Sequence, residues 1–221
     1  MNYRFTNSTG GISTGAFLSL NLAQHVGDKP ELVAHNRTIL EREIGLPTQY
    51  MNQVHGDQVL QIQQLLEDEP TADGLLTTNT EIALAVMVAD CIPLLLSNKS
   101  SVAAVHVGRR GLVNNIALVA ISKMRAIDSS SITAVIGPAI CGKCYEVSED
   151  IYTEVVDQFP LAQARTQSGA LSLDLTKALK SLLIDQGVTV IEENLCTVEE
   201  SSLYSYRRDG VTGRQVGVVW L

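Results

Sequence analysis

The chain has 221 residues, of which 45% are hydrophobic, a composition typical of a single domain with a sizeable buried core. Its formal net charge of −8 argues against general binding to nucleic acid or to anionic membranes. No apolar run approaches roughly 18 residues, and residues 1–5 lack the apolar core of a signal peptide, so the sequence predicts a cytoplasmic protein with reduced cysteines.

The amino-terminal part is predicted to form strands and loops followed by one helix. Residues 6–30 are polar and contain several glycines, which is typical of strands and loops. Asp28 is predicted to cap the first helix, with Pro30 in its first turn and Gly45 at its end.

The rest of the chain interleaves further strands and helices. Apolar spacing predicts a helix over residues 112–124, a third helix capped by Ser148, and a fourth between an Asp174 cap and Gly187. Because several strands adjoin without an intervening helix, the pattern favours an α+β fold with mixed sheets over a purely parallel one. The predicted strands span residues 59–65, 82–88, 102–107, 132–136, 188–191 and 216–221.

Two histidines and one cysteine occur in short segments that have the composition of site-bearing turns. His55 lies in NQVHGD, Cys91 in ADCIP and His106 in VHVGRRG. Two imidazoles and a thiolate form a three-ligand zinc set, whose open fourth position is typical of a catalytic rather than a structural zinc. The long, unequal spacings follow no zinc-finger pattern, so these residues alone leave a buried thiol and two ordinary histidines as the alternative.

Ordered blocks along nearly the whole chain resemble one known family. They are GGIS (10–13), LNL (20–22), HVGD (25–28), NR (36–37), NQVHG (52–56), ADG (72–74), ADCIP (89–93), GPAI (137–140), CYEV (144–147), SYRRDG (205–210) and TGR (212–214). Together they resemble the YfiH family, which is also called the laccase-domain or multicopper polyphenol oxidase family.

The resemblance implies stacked mixed β-sheets flanked by helices, in a single domain over residues 1–221. It implies a catalytic zinc bound by His55, Cys91 and His106, with copper as a substitute metal. The implied substrates are purine nucleosides and phosphate. The implied reactions are phosphorolysis of adenosine, inosine, guanosine and methylthioadenosine to the free base and (methylthio)ribose 1-phosphate, together with deamination of adenosine to inosine.

Two carboxylates in the matching blocks are candidate catalytic residues beside the zinc ligands. Asp90 adjoins Cys91, and on an extended strand it would point away from the metal, so we expect it to hydrogen-bond to an imidazole N–H. Asp73 precedes Gly74, and this dipeptide is equally typical of a simple turn.

The candidate substrate-binding residues are Arg37, Gln53, Arg110 and Arg207. The planar fork of arginine suits phosphate, although an arginine more often pairs with a carboxylate at the surface. Arg207 and Arg208 cannot both face one pocket on an extended strand, so one of them is expected to have a structural role.

The chain departs from the family pattern at two positions near these residues. Arg109 stands where the family usually has tryptophan, and this difference is expected to affect substrate preference rather than metal binding. Cys141 begins a Cys-x-x-Cys segment where the family often has Gly-Pro-Cys. A redox pair is one interpretation of this segment, but reactive pairs usually begin a helix, and ordinary buried thiols are the alternative.

Three other functions remain open from the sequence. A multicopper polyphenol oxidase needs far more imidazoles than the four histidines present. A cysteine hydrolase would use Cys91 as nucleophile and His106 as base, which excludes Cys91 as a simultaneous zinc ligand. A non-catalytic metal-binding module would need only the ligands.

Overall fold

The computed structural model describes all 221 residues and contains twelve strands and six α-helices. The strands are β1 (Asn2–Phe5), β2 (Thr48–Gln49), β3 (Val59–Gln61), β4 (Gly74–Thr77), β5 (Ala83–Val88), β6 (Ile92–Ser97), β7 (Val102–Val107), β8 (Thr133–Ile136), β9 (Gln163–Arg165), β10 (Leu171–Leu173), β11 (Thr189–Glu192) and β12 (Gln215–Trp220). The helices are α1 (Pro30–Ile44), α2 (Arg109–Val113), α3 (Ile116–Ile127), α4 (Glu149–Gln158), α5 (Leu175–Asp185) and α6 (Tyr206–Asp209).

Two mixed sheets form the centre of the molecule. A four-stranded sheet has the order β1-β12-β5-β2, and a six-stranded sheet has the order β11-β8-β6-β7-β4-β3. The pairs β2–β5, β3–β4 and β8–β11 are parallel, and all other pairs are antiparallel. The predicted α+β fold with mixed sheets is therefore confirmed.

Strand β5 shows how the layers are stacked. Leu84 and Val86 pack in the apolar layer between the two sheets, whereas Ala85 and Met87 pack with Leu40 of α1 on the opposite face. Successive side chains of a strand point to opposite faces, so the continuous apolar run fills two layers at once. The prediction of a strand buried on both faces is confirmed.

The outer face of the six-stranded sheet is covered by helices α2–α5. Leu94 and Val105 pack with Ile116 of α3, Val155 of α4 and Leu179 of α5 in the largest apolar cluster. The order of layers is α1, four-stranded sheet, six-stranded sheet, and helices α2–α5. None of the helices combines the length and the apolar character needed to cross a bilayer.

The first helix follows its sequence signals except at its amino-terminal cap. It begins at Pro30 and ends at Gly45, whose φ of 76° is the left-handed conformation that glycine adopts readily. The predicted Asp28 cap is wrong, since Lys29 is the cap residue. The Asp28 carboxylate instead accepts hydrogen bonds from Ser13 and Asn21 in the preceding loop.

Other boundaries differ for local reasons. The helix predicted over residues 112–124 is two helices, because Asn115 adopts φ 59° between α2 and α3 while the apolar spacing runs on through the break. Residues 6–30 contain two short 3-10 turns and no strand. The predicted Asp174 cap is confirmed, since its carboxylate accepts from the Lys177 N–H.

Asn36, on the inner face of α1, holds the loop that precedes the helix. It is fully buried; its Oδ1 accepts from the Ile12 N–H, and its Nδ2 donates to the carbonyls of Ser19 and Asn21 and to Ser13 Oγ. One side chain thus satisfies several buried backbone groups that have no partner in a sheet.

Replacing this amide is expected to destabilise the whole domain. Asn36→Leu should lower the free energy of unfolding by about 2–4 kcal/mol, because buried backbone groups lose their partners. Urea denaturation checks the value, with Thr38→Ala on the exposed side of the same helix as the control. A change below about 0.5 kcal/mol, the usual range for surface substitutions, would contradict the role given to Asn36.

Candidate active site

Three segments of the chain converge beside the start of β6 and the end of β7. His55 lies between β2 and β3, Cys91 directly precedes β6, and His106 is in β7. The side-chain ligand atoms of these residues all lie within 4.8 Å of one another. Cys91 and His106 meet because β6 and β7 are antiparallel neighbours, with Pro93 opposite His106. The two imidazole rings meet edge to face, with centroids 4.7 Å apart.

Gly108 leaves the space between these side chains open. A Cβ atom at this position would lie 3.0 Å from Cys91 Sγ and 3.4 Å from a carbon of the His55 ring. Only glycine therefore fits without moving the thiol. His55 itself has φ 60°, a left-handed conformation that is uncommon for residues other than glycine.

Asp73 hydrogen-bonds to both histidines of this cluster. Its fully buried carboxylate accepts hydrogen bonds from the backbone N–H groups of Val54 (3.2 Å), His55 (2.9 Å) and Gly56 (2.7 Å). It also lies 2.8 Å from Nδ1 of His106, which leaves Nε2 as the nitrogen available to a ligand. Asp73 fixes the His55 loop and orients the His106 ring without lining the cavity described below.

The charges in the cluster are strongly coupled. Burial raises the pKa of Cys91, but the neighbouring His106 and His55 outweigh it and lower that pKa to about 6. Burial lowers the pKa of His106, but Cys91 and Asp73 outweigh it and raise that pKa to about 9. The arrangement favours a thiolate at Cys91, and the thiolate is the form of cysteine that binds metals or attacks electrophiles.

A cavity of about 440 Å³ opens from this cluster to solvent. Its volume falls within the range of small-molecule sites, about 300–1,000 Å³. His55, Cys91 and His106 share its lining with apolar residues that include Met87 and Ile140. The remaining lining contains aromatic and cationic side chains from distant parts of the chain: His25, Tyr145, Tyr206, Arg207 and Arg214.

Asp90 lines the cavity, but its carboxylate binds Thr197 and the start of α6 rather than a histidine. Its φ of 98° shows that the backbone is not extended there, contrary to the assumption made from the sequence. The carboxylate accepts from Thr197 Oγ1 (2.6 Å), Ser205 Oγ (2.7 Å) and the Arg207 N–H (2.6 Å). The expected hydrogen bond to an imidazole is therefore wrong, and Asp90 fixes the start of α6.

The structure brings two of the four candidate substrate-binding residues to the cavity. Arg207 lines it and lies over the ring of Tyr145, at 5.2 Å from the ring centroid. Gln53 also lines it, but both ends of its amide bind the backbone of Met87, each at 2.8 Å. Gln53 thus ties the His55 loop to β5.

The other two candidates do not line the cavity. Arg37 pairs with Glu69 at 2.7 Å and stacks over Tyr50, with its guanidinium 3.8 Å from the ring centroid. Arg110 is exposed on α2. Arg109, which replaces the family tryptophan, pairs with Glu154 of α4.

Of the two adjacent arginines near the carboxyl terminus, one has a structural role, as predicted. Arg208 donates to the carbonyls of Thr197 and Leu203 and so holds the segment before α6 together. The geometry differs from the expected strand, because Ser205 caps a helical turn by accepting from the Arg208 N–H. Arg207 lines the cavity, and its guanidinium donates to the Glu146 carbonyl at 2.8 Å.

Sequence reasoning did not single out several lining residues. His25, Tyr145, Tyr206 and Arg214 all lie in the blocks that carry the family resemblance, which was the available signal. Nothing in their local sequence indicates which of them faces a cavity, since that depends on how distant loops meet.

The profile of the family described as multi-copper polyphenol oxidoreductase laccase matches residues 2–221. The chain belongs to this family. The resemblance seen in the sequence blocks is confirmed by solved structures as well. A hypothetical protein YfiH of Bacillus licheniformis superposes with a TM-score of 0.90 at 29% identity, covering 98% of this chain and 91% of that one. A Neisseria meningitidis protein superposes with a TM-score of 0.92 at 37% identity, covering 99% and 93%.

Relatives within the family carry a different functional name. A protein of Corynebacterium glutamicum named purine nucleoside phosphorylase is 42% identical, over 98% of this chain and 93% of its own length. A Streptomyces griseus protein with the same name is 38% identical, over 100% and 94%. The family description indicates an oxidation, whereas the names of these relatives indicate a phosphorolysis. The residues of the site are therefore compared with the needs of both reactions.

Proposed function

We propose that this chain is a zinc-dependent purine nucleoside phosphorylase. The observation that carries the proposal is the convergence of His55, Cys91 and His106 in a cavity of nucleoside size. The same cavity contains Arg207 and Arg214, neither of which forms an ion pair. The names of relatives at 38–42% identity support the substrate class.

The residues present fit a zinc ion. Two imidazoles and a thiolate lie within reach of one centre, Gly108 leaves the space clear, and Asp73 fixes the ring of His106 through the nitrogen that faces away. A bound zinc ion would supply Lewis-acid stabilisation of developing negative charge in the cavity. The neighbouring half of the cavity, with the apolar faces of Met87, Ile140 and Tyr145, suits a purine base.

Arg214 is the strongest candidate for the phosphate ligand. It lines the cavity, one end of its guanidinium donates to the carbonyls of Thr212 and Gly213, and it makes no ion pair. Burial lowers its pKa, as expected for a partly desolvated cation without a carboxylate partner. Arg207 provides a second cation: its backbone N–H donates to Asp90, and its guanidinium donates to the Glu146 carbonyl and lies over the Tyr145 ring.

In phosphorolysis a phosphate oxygen bonds to the anomeric carbon of ribose as the bond from that carbon to the base nitrogen breaks. The base leaves with the bonding electrons and takes up a proton, so the products are free base and ribose 1-phosphate. Arg214 and Arg207 would hold the phosphate against the sugar, and this positioning alone contributes substantially to catalysis. We extend the proposal to adenosine, inosine, guanosine and methylthioadenosine, and to deamination of adenosine by water, on the family resemblance alone.

A cysteine hydrolase is the second candidate, because the same residues also form a nucleophile, base and orienting acid. Cys91 lies beside His106, and His106 is hydrogen-bonded to Asp73 at 2.8 Å. The multicopper oxidase is not favoured by the donor set. Only four histidines are present, and His35 is exposed on α1, away from the other three.

Product analysis distinguishes these candidates. Purified protein is incubated with adenosine or inosine, with and without phosphate, and the products are identified by liquid chromatography and mass spectrometry. We expect free base and ribose 1-phosphate only when phosphate is present, and inosine from adenosine in its absence. A zinc-loaded sample that converts neither nucleoside would refute the proposal.

Arg214→Met is expected to raise the KM for phosphate by about 10- to 100-fold while changing the KM for the nucleoside much less. The estimate follows from about 1.5–3 kcal/mol for hydrogen bonds to a charged group. Steady-state kinetics with phosphate as the varied substrate measure the effect. Arg42→Met, an exposed arginine on α1, is the control and should match the unmodified protein. Equal increases in the KM for phosphate and in the KM for the nucleoside would show that Arg214 does not bind the phosphate specifically.

A further inference from the structure

A second cluster of metal-ligating side chains lies outside the proposed active site. Cys141 and Cys144 follow β8, and Cys196 follows β11. The three sulfur atoms lie within 4.8 Å of one another. The two segments are joined by an isolated β-bridge between Ala139 and Cys196, so the cluster is part of the folded framework.

The backbone turns both Cys141 and Cys144 toward Cys196. The N–H groups of Cys144 and Tyr145 donate to the carbonyl of Cys141, at 3.0 and 3.1 Å, which folds the Cys-x-x-Cys segment into one tight turn. The Cys141 N–H donates to Cys196 Sγ at 3.4 Å. A backbone N–H directed at a sulfur stabilises the negative charge of a thiolate.

A carboxylate stands beside the three sulfurs. Glu199 Oε1 lies 3.8 Å from Cys144 Sγ. An adjoining cavity of about 390 Å³ is lined by Cys141, Cys196 and Glu199 together with the acidic Asp174, Glu192 and Glu193 and the basic Lys143 and Arg165. The carboxylates outnumber the basic groups, so the surroundings favour a cation.

We propose that Cys141, Cys144 and Cys196 bind a structural zinc ion, with Glu199 as the fourth ligand. Two of the ligands have the Cys-x₂-Cys spacing typical of structural zinc sites. Sulfurs at about 2.3 Å from a tetrahedral zinc ion lie about 3.8 Å from one another, so the observed cluster closes around the ion with shifts of about 1 Å or less. Four protein ligands leave no position for substrate, which separates this site from the one at His55, Cys91 and His106.

The alternatives considered for these cysteines fit less well. A redox pair usually lies at the start of a helix, whereas Cys141 and Cys144 lie in a turn and the next helix begins only at Glu149. Inert core thiols would be fully buried, whereas all three cysteines are partly exposed, and Cys141 and Cys196 line the cavity. Three clustered thiols at an acidic surface cavity are better explained by a cation that binds them.

A zinc ion here would connect two walls of the active-site cavity. Thr197, next to Cys196, donates to Asp90 at 2.6 Å. Tyr145, next to Cys144, lines the cavity beneath Arg207. The second metal would therefore stabilise the loops that position the proposed phosphate-binding side chains, without contacting substrate.

Metal analysis of the intact protein tests the proposal. We expect two zinc ions per chain in the unmodified protein by inductively coupled plasma mass spectrometry, one in Cys91→Ala, one in Cys144→Ser, and none in the double variant. The melting temperature should fall in Cys144→Ser. Lys143→Ser, in the same turn, is the control and should keep both zinc ions and the melting temperature of the unmodified protein.

Cys91→Ala keeps the proposal testable even if Cys144→Ser does not fold. After cobalt replaces zinc in Cys91→Ala, strong thiolate-to-cobalt charge-transfer absorption is expected from the three remaining ligands. A single zinc ion in the unmodified protein, absent from Cys91→Ala, would overturn the proposal. So would an intact mass two hydrogens lower, which would show a disulfide among the three cysteines.

Discussion

The Cys91→Ala protein is expected to lose the zinc ion of the active-site cluster and to convert purine nucleosides about a thousand-fold more slowly. The estimate follows from the several kcal/mol that a metal contributes to the transition state, at about 1.4 kcal/mol per tenfold in rate. Cys91 is the only anionic ligand of the set, since its partners are the imidazoles of His55 and His106. Its loss removes both a ligand and the charge that attracts the cation.

Metal content, turnover and thiol alkylation together measure this result. His55→Ala and His106→Ala should behave as Cys91→Ala does, whereas His35→Ala, the histidine exposed on α1, should keep both zinc and activity. Bound zinc should also protect Cys91 from alkylation. An unmodified protein that lacks zinc at this cluster and whose Cys91 is alkylated rapidly would instead support the cysteine hydrolase.

Asp73→Ala is expected to lower the free energy of unfolding by about 3–5 kcal/mol and to abolish zinc binding at the same cluster. The substitution leaves the N–H groups of Val54, His55 and Gly56 without their acceptor and frees the ring of His106. The Asn variant separates the two effects. Its single oxygen can replace only one of the two carboxylate oxygens, so the zinc affinity should still fall about 10- to 100-fold.

Urea denaturation in the presence of a chelator measures the change in the free energy of unfolding, and a zinc titration measures the change in zinc affinity. Asp57→Asn is the matched control, because Asp57 lies exposed in the same loop. If Asp73→Asn binds zinc as tightly as the unmodified protein, the carboxylate does not orient His106 in the way that we infer.

The sequence predicted elements well where one local signal decides the structure. Strand β5 was recognisable because its apolar run fills two layers, and α5 because Asp174 caps it and Gly187 follows it. The break at Asn115 was hidden, because the apolar spacing continues on both sides of a single residue in the left-handed region.

The site was predictable only in part, because strand register decides which distant residues meet. In β4 and β7, Gly74 pairs with Val105, and this register sets Asp73 beside His106. A turn and a strand separated by more than 30 positions give no local sign of that pairing. The blocks shared with the family contain the three residues of the cluster, but the contacts of Asp90 and the exposure of Arg214 to the cavity depend on backbone conformation and loop packing.

Strand β5 also determines which parts of the cavity are free to vary during evolution or in the laboratory. Every side chain along it packs in one of two apolar layers. The backbone N–H and carbonyl of Met87 both hydrogen-bond to the side-chain amide of Gln53. Substitutions there must suit two packing environments together, so this wall should diverge slowly. Tyr206 is exposed at the rim of the cavity, beside the candidate phosphate-binding residue Arg207. Libraries that aim to change nucleoside selectivity should therefore randomise Tyr206 and keep Arg207.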